Sequence, residues 1–399
     1  MNMNIQEIDL KIIKDKKVYI YGASYVGEMI GREMQKRGFT NFDFIDRDSK
    51  NKVLGKKVFS PQHLCDETNV NIVIGSSKYM IEIYNDIKAL KLEGATIYTA
   101  SDLFASYTKD ASNHVYGTNF EFLSYRMSML KLNQYLNNGW NHKHLDVIIT
   151  EKCTLKCEAC ASLMPLYKTP RNCDGDIIFQ AMDNLFASGC YLEELVLIGG
   201  ETLLNQKLLA DFYRRYKGNP HIGMMAIFTN GTVLPQDFLL EELKDANDFW
   251  VYFSNYGELS RNQEKAVQLF EEKGIVSTVM QEEQLSNENA GIWIDYGYPK
   301  HYKHTEEECQ KMYNRCYDRK NCTAMVNGKI YICPRIAHGV NVGLIPSKLR
   351  RNYVDTLHDV DNLRERCIKF FEDTRYPEAC EYCDRENGRM VKRAKQIER

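Results

Sequence analysis

Between residues 145 and 279 the chain alternates strand-like runs with helical spacing, and this alternation constrains its fold more than any other feature. Residues 145–150, 195–198, 224–228, 249–253 and 275–279 read as strands, with helical patterns at 175–188, 206–217, 236–246 and 261–273 between them. Strands joined through single helices pair in parallel, because a tight hairpin cannot connect parallel neighbours. The fold class expected is α/β, with a central partial (β/α) barrel of TIM type over residues 145–300 and chemistry on the rim formed by the C-terminal strand ends.

The first strand of that alternation runs directly into Cys153, Cys157 and Cys160, a Cx3Cx2C array. The chain holds 13 cysteines in all. Its first residues mix acids and lysines with isolated apolar positions and show neither an apolar h-region nor a cleavage site, so a cytoplasmic location is expected. In a reducing compartment an odd number of closely spaced thiols fits metal ligation better than disulfides. A [4Fe–4S] cube normally takes four thiolates, so three close ones leave one iron open to another ligand. Zinc is the competing ion, but structural zinc sites close with a fourth Cys or His and favour paired CxxC units. The next histidine downstream is His221.

The Cx3Cx2C loop after the first barrel strand resembles the signature of the radical S-adenosylmethionine enzymes, over about residues 145–285. The resemblance implies that Cys153, Cys157 and Cys160 hold a [4Fe–4S] cluster whose open iron chelates S-adenosylmethionine. It also implies reductive cleavage to a 5′-deoxyadenosyl radical that abstracts a substrate hydrogen. Ala159 stands where the family usually has an aromatic residue near the adenine. Gly199, Gly200 and Glu201 close the next strand and resemble the family's GGE motif, assigned to the methionyl amine of the cofactor. Physically, paired glycines admit a close backbone approach, and an acid can accept from an ammonium group. Asn230 and Ser254, at the ends of the third and fourth strands, are further candidates for the cofactor's ribose and carboxylate.

Beyond residue 300 the alternation fails and seven cysteines fall in the last 91 residues. Cys316, Gly328 and Cys333 stand in a Cx11Gx4C pattern followed by Cys380 and Cys383 as CxxC, similar to the auxiliary-cluster domains of the same family. No cysteine follows Cys383, so the shorter twitch form with one auxiliary [4Fe–4S] cluster fits better than the longer SPASM form. Two clusters are expected in total. An all-thiolate zinc knuckle is the rival. Asn327-Gly328 reads as a hairpin turn that brings Cys322 near Cys333. Cys322 competes with Cys316 as ligand, and is otherwise a candidate catalytic thiol that returns a hydrogen atom to a substrate radical. Cys309 and Cys173 share that ambiguity, whereas Cys65, Cys190 and Cys367 read as core or partly buried thiols in or beside helices.

Residues 1–106 read as a small Rossmann-like unit with a parallel sheet of about four strands. Gly22, Ser24 and Gly27 form a glycine turn between strand and helix, and Asp46 ends the next strand. These four are candidate nucleotide contacts, with Ser24 replacing the middle glycine of a dinucleotide fingerprint. Residues 107–144 read as a helical connector, and 301–399 as the cluster domain. The basic stretch at 385–399 reads as a solvated terminal helix.

The 52 basic and 54 acidic residues nearly cancel to a net charge of −2, which gives no electrostatic reason to expect nucleic acid. No apolar run approaches the roughly 20 residues of a membrane span. The partners expected are a small-molecule substrate, a nucleotide sugar among the candidates, and a reductant such as flavodoxin or ferredoxin. Three readings follow. The first is an oxidoreductase or epimerase acting on a sugar or polyol, with or without a nucleotide attached. The second is a peptide or protein maturase of the SPASM type. The third, of a different class, is a metal-stabilised scaffold or regulatory binding protein without catalysis.

Overall fold

The computed structural model describes residues 5–48, 52–103, 118–244, 246–280 and 292–397. The chain divides into two compact units, Met1–Asn137 and Asn138–Arg399. The helix expected within a connector therefore groups with the first unit, and the cysteine-rich C-terminal stretch groups with the second.

The first unit is an α/β layer built on seven strands: β1 (Ile5–Glu7), β2 (Val18–Tyr21), β3 (Phe42–Ile45), β4 (Lys52–Val53), β5 (Lys56–Phe59), β6 (Asn71–Ile74) and β7 (Thr96–Thr99). Their order is β1-β7-β6-β2-β3-β5-β4, parallel except for the β4–β5 pair. Every residue of β2 and β6 is buried, as central parallel strands require. Helix α1 (Tyr25–Lys36) buries Val26, Met29, Ile30 and Met34, the stripe visible in the sequence. Helix α2 (Met80–Ala89) joins β6 to β7, and α3 (Thr118–Leu136) sends the buried Tyr125 hydroxyl to the Ile74 carbonyl at 2.8 Å. The sheet exceeds the four strands expected because β1, β4 and β5 are short, and the edge pair β4–β5 is lysine-bearing and without an apolar run.

The second unit carries an eight-stranded sheet. Its chain order is β8 (Trp140–Thr150), α4 (Gly175–Ala187), β9 (Cys190–Gly199), α5 (Gln206–Tyr216), β10 (Ile222–Thr229), α6 (Asp237–Glu242), β11 (Phe249–Ser254), α7 (Gln263–Glu272) and β12 (Val276–Met280). Then come β13 (Ile292–Asp295), α8 (Glu306–Arg315), α9 (Tyr317–Asn321), β14 (Thr323–Val326), β15 (Lys329–Tyr331), α10 (Pro334–Asn341), β16 (Tyr353–Asp355), α11 (Leu363–Glu372) and β17 (Arg389–Lys392). The strand order is β12-β11-β10-β9-β8-β14-β15-β16, with β8 to β12 and the β8–β14 pair parallel. The sheet is open: among the described residues β12 and β16 end it without pairing. Its helices bury an apolar layer centred on Leu145, Val147, Leu195, Leu197 and Ile227.

Two strands begin earlier than apolar patterning indicates. Strand β8 starts at Trp140 and β9 at Cys190, because polar side chains near their starts pair with each other across the sheet. His144 Nδ1 meets Glu194 Oε2 at 2.7 Å and its Nε2 meets Asp146 Oδ1 at 2.9 Å. Cys190 thus opens a strand just beyond α4 and is a buried core thiol, as the sequence suggested. The Asn327-Gly328 hairpin is present, with both residues at positive φ (+49° and +72°) as a two-residue turn of this type requires. The pairing stops at Ala324 and Tyr331, and Cys333 turns away to cap α10. The C-terminal stretch is not a solvated helix. Residues Arg389–Lys392 form β17, antiparallel to β13, because Asp295 and Glu158 offer carboxylates to Arg389 and the main chain finds pairing partners.

Candidate functional site

The β8 strand ends at Thr150, and Cys153, Cys157 and Cys160 then turn over the C-terminal ends of β8 to β11. All three line one cavity of about 230 Å³, together with Gly199, Gly200, Asn230 and Ser254. Four of the five residues assigned from the sequence to the cofactor therefore share a wall with the cysteines. The fifth, Glu201, lies behind that wall.

The glycines serve the protein's own packing. A Cβ on Gly199 would sit 2.4 Å from the Thr150 carbonyl oxygen, and one on Gly200 would sit 2.5 Å from that of Lys152 and 2.7 Å from Cys153 Cβ. Strand β9 can close on the cysteine loop only without side chains there. Glu201 N donates to the Lys152 carbonyl at 2.8 Å. Its carboxylate accepts from Leu203 N (3.0 Å), Thr229 Oγ1 (2.7 Å) and Asn230 N (2.8 Å). Burial raises the Glu201 pKa, and these three donors oppose that. The acid expected to meet a cofactor ammonium thus ties the ends of β9 and β10 together and sets Asn230 in place.

Each thiol of the loop has N–H groups aimed at it. Cys153 Sγ takes Leu155 N at 3.4 Å and Asn230 Nδ2 at 3.9 Å, and Cys157 Sγ takes Gln396 Nε2 at 3.3 Å. Main-chain amides of Met164, Ser162 and Leu163 face Cys160. Burial pushes the Cys153 thiol up to about 12 and raises Cys157 and Cys160 as well. Neutral thiols have little use for such donors, whereas metal-bound thiolates are stabilised by them. Among the described residues no three Cys, His, Asp or Glu side chains converge as ligands of a single ion do. A cubic cluster makes another demand, since each sulfur takes its own iron around a shared space. The donor set fits a [4Fe–4S] cluster, which Cys153, Cys157 and Cys160 would hold.

Tyr256, Trp293 and Phe228 also line the cavity, with the first two rings edge to face at 5.7 Å. Tyr256 follows Ser254 at the end of β11, but Trp293 is far off in the chain and carried no local signal. Ala159 does not line the cavity, and this aromatic pair is the ring surface available there.

Cys316, Cys333, Cys380 and Cys383 form a second group. By surface area each is only partly buried. Protein nevertheless surrounds their sulfurs, and desolvation pushes the Cys333, Cys380 and Cys383 thiols up, with each raised further by others of the group. Cys309 lies beside Cys380 and Cys383. Cys322 lies near Cys316, with Asp146, Asp318 and Glu194 as the other charges around it, and burial pushes its thiol up to about 12. The buried Arg335 guanidinium lowers both Cys160 and Cys383, so it lies within electrostatic reach of both cysteine groups. Cys173 is partly buried and pushed up to about 12 by burial, Cys190 and Cys367 are buried neighbours in the core, and Cys65 is exposed.

In the first unit, Gly22 sits at φ +115°, and a Cβ there would lie 2.7 Å from the Gly75 carbonyl oxygen. A Cβ on Gly27 would lie 1.8 Å from that of Gly22. Both glycines are demanded by packing alone. Ser24 begins α1 without a side-chain cap, and Asp46 Oδ2 accepts from Ala23 N at 2.7 Å. The Asp46 carboxylate, a candidate nucleotide contact, is engaged with the turn itself.

No family model matches the chain. Over 112 residues it is 32% identical to the GTP 3′,8-cyclase of Clostridium acetobutylicum, a stretch covering 27% of this chain and 33% of that protein. The chain thus spans about a third of the length of this curated relative. Among solved structures it is similar to native anSMEcpe with bound AdoMet, at 13% identity and a TM-score of 0.36 over 61% of this chain and 83% of the other. It is also similar to BtrN in complex with AdoMet and 2-DOIA, at 15% identity and a TM-score of 0.34 over 64% and 96%. A third is Streptococcus suis SuiB, at 15% and 0.29 over 55% and 47%.

Proposed function

We propose that this chain is a radical S-adenosylmethionine enzyme carrying two [4Fe–4S] clusters. One observation carries the reading: the Cx3Cx2C thiols share a cavity with Gly199, Gly200, Asn230 and Ser254 at the C-terminal ends of parallel strands. Cys153, Cys157 and Cys160 would hold the first cluster, and Cys316, Cys333, Cys380 and Cys383 the second. When bound, the first cluster supplies the electron for reductive cleavage of S-adenosylmethionine and so the radical that takes a hydrogen from substrate. The protein's part is to aim and shield. Asn230 and Ser254 offer polar atoms for the cofactor, Tyr256 and Trp293 a ring surface, and Glu201 fixes Asn230 from behind. Cys322 is a candidate hydrogen-atom donor, set between the second group and the polar face of β8 and β9.

The polar part of the cavity lining, Asn230 and Ser254 among it, suits a substrate part rich in hydroxyl or amine groups. Sugars and peptide side chains both present such groups. The occupied glycine turn of the first unit removes a reason to prefer a nucleotide-linked substrate, so the sugar and peptide-maturase readings stand level. Among the described residues no helix is long and apolar enough to cross a membrane.

Anaerobic reconstitution tests the reading: about eight irons per chain are expected, four for each cube. Under strong reductant the holoprotein should form 5′-deoxyadenosine. Zinc content with no cleavage would instead establish the scaffold reading. Titration of the full chain with nucleotide sugars, set against peptides bearing Ser, Cys or Lys, separates the two substrate classes.

A further inference from the structure

The basic C-terminal stretch lies along the cysteine loop. Glu158 N donates to the Lys395 carbonyl at 2.7 Å, and Ile397 N to that of Lys156 at 2.8 Å. These bonds flank an antiparallel bridge that sets Gln396 opposite Cys157. Ala394 adopts a left-handed φ of +53°, a conformation that non-glycine residues rarely take, and turns the chain into this register. Gln396 Oε1 then accepts from Lys156 N at 2.8 Å, while its Nε2 donates to the Ala394 carbonyl at 2.7 Å and to Cys157 Sγ at 3.3 Å. The amide cannot be flipped, since that would turn its NH2 group against the Lys156 N–H.

We propose that Gln396 is a positioning residue that sets the reduction potential of the loop cluster through its N–H···S hydrogen bond to Cys157. The inference rests on the radical S-adenosylmethionine reading only in requiring that a cluster be bound. Reduction adds a negative charge that is spread over the irons and their sulfurs. A donor aimed at a ligand sulfur therefore stabilises the reduced form more than the oxidised one and raises the potential. The Oε1 bond to Lys156 already pins the loop, so the Nε2 bond to sulfur is the part that a purely structural role does not need.

Gln396→Glu keeps an acceptor for Lys156 N, removes the Nε2 donor from both Cys157 Sγ and the Ala394 carbonyl, and places a negative charge by the sulfur. Gln396→Ala removes both acceptor and donor. In EPR-monitored redox titrations of the reconstituted full chain, the loop cluster is identified by its response to S-adenosylmethionine. Both variants should bind wild-type iron and show a lower midpoint, Glu lower than Ala. The expected change is on the order of tenfold in the one-electron equilibrium, equivalent to about 59 mV. Pulsed EPR of the wild-type chain labelled with 15N in the glutamine side chains should show a nitrogen coupled to the reduced cluster. That measurement decides the matter if a variant loses its iron. Unchanged midpoints with full iron, or no 15N coupling in the wild type, overturn the inference while leaving the function intact. A wild-type chain that assembles no loop cluster overturns both.

Discussion

Cys153, Cys157 and Cys160 line a cavity and number three, whereas Cys316, Cys333, Cys380 and Cys383 number four and have Arg335, Arg385 and Asp318 around them. The first group is served mainly by neutral donors, main-chain amides, Asn230 and Gln396, with Arg335 within electrostatic reach of Cys160. The second sits among full charges. An incomplete ligand set beside a cavity leaves a coordination position for a small molecule, and neutral donors stabilise thiolates there without filling it. A complete ligand set needs only to be closed and held. On the proposed reading the first group would be the reactive centre and the second a fixed one.

Removing the reactive group has the largest effect expected. Replacing Cys153, Cys157 and Cys160 by Ala should abolish 5′-deoxyadenosine formation and leave about four irons. Iron near zero would show that the two groups depend on each other. Removing the fixed group comes next. The double change Cys380→Ala and Cys383→Ala should bring iron from about eight to about four per chain. Cofactor cleavage without substrate should survive, because it needs only the loop cluster. Wild-type iron in that variant would break the assignment of the four thiols.

Much of this comparison was legible in the sequence. Cys153, Cys157 and Cys160 announce themselves because all three sit on one short loop after a strand, and the five parallel strands did so through apolar runs, nearly all buried in β10 and alternately buried in β11. The role of Glu201 was not legible, since an acid at a strand end reads alike whether it meets a ligand or three internal donors. Trp293 and Gln396 were hidden for another reason: they reach the cavity and the loop from positions 133 and 236 residues beyond Cys160. The basic tail misled because charge composition cannot distinguish a solvated helix from a strap complementary to Glu158 and Asp295. The early parts of β8 and β9 were missed because their polar residues pair with one another and interrupt the apolar pattern.

That polar pairing yields a smaller effect with a definite sign. Burial alone would lower the His144 pKa, but hydrogen bonds to Asp146 and Glu194 outweigh it and raise it from 6.5 to about 10. A raised folded-state pKa contributes stability that is fully present below about pH 6.5 and is lost as pH rises through about 10. The melting temperature should therefore fall between those limits. A His144→Gln variant should be less stable by about 3–5 kcal/mol at pH 6, with a lower melting temperature, and lose this part of the pH dependence. Equal slopes in the two proteins would show that the imidazole is not the proton carrier.

The smallest effect should come from Glu158, which joins the cysteine loop to the strap by ion pairs with Arg389 and with Lys395, the latter at 2.8 Å. Its carboxylate is held below the usual range, chiefly by Lys395. These charges are solvated and screened, so their pairing adds little to stability. The main-chain bonds from Glu158 N and Ile397 N, and the Gln396 amide, do not depend on that charge. Glu158→Gln should therefore leave the melting temperature in 0.15 M salt nearly unchanged and keep the loop cluster's midpoint within error of wild type. A midpoint shift as large as that of Gln396→Ala would mean that the strap is held by charge, and that the sulfur responds to the strap's position rather than to one amide.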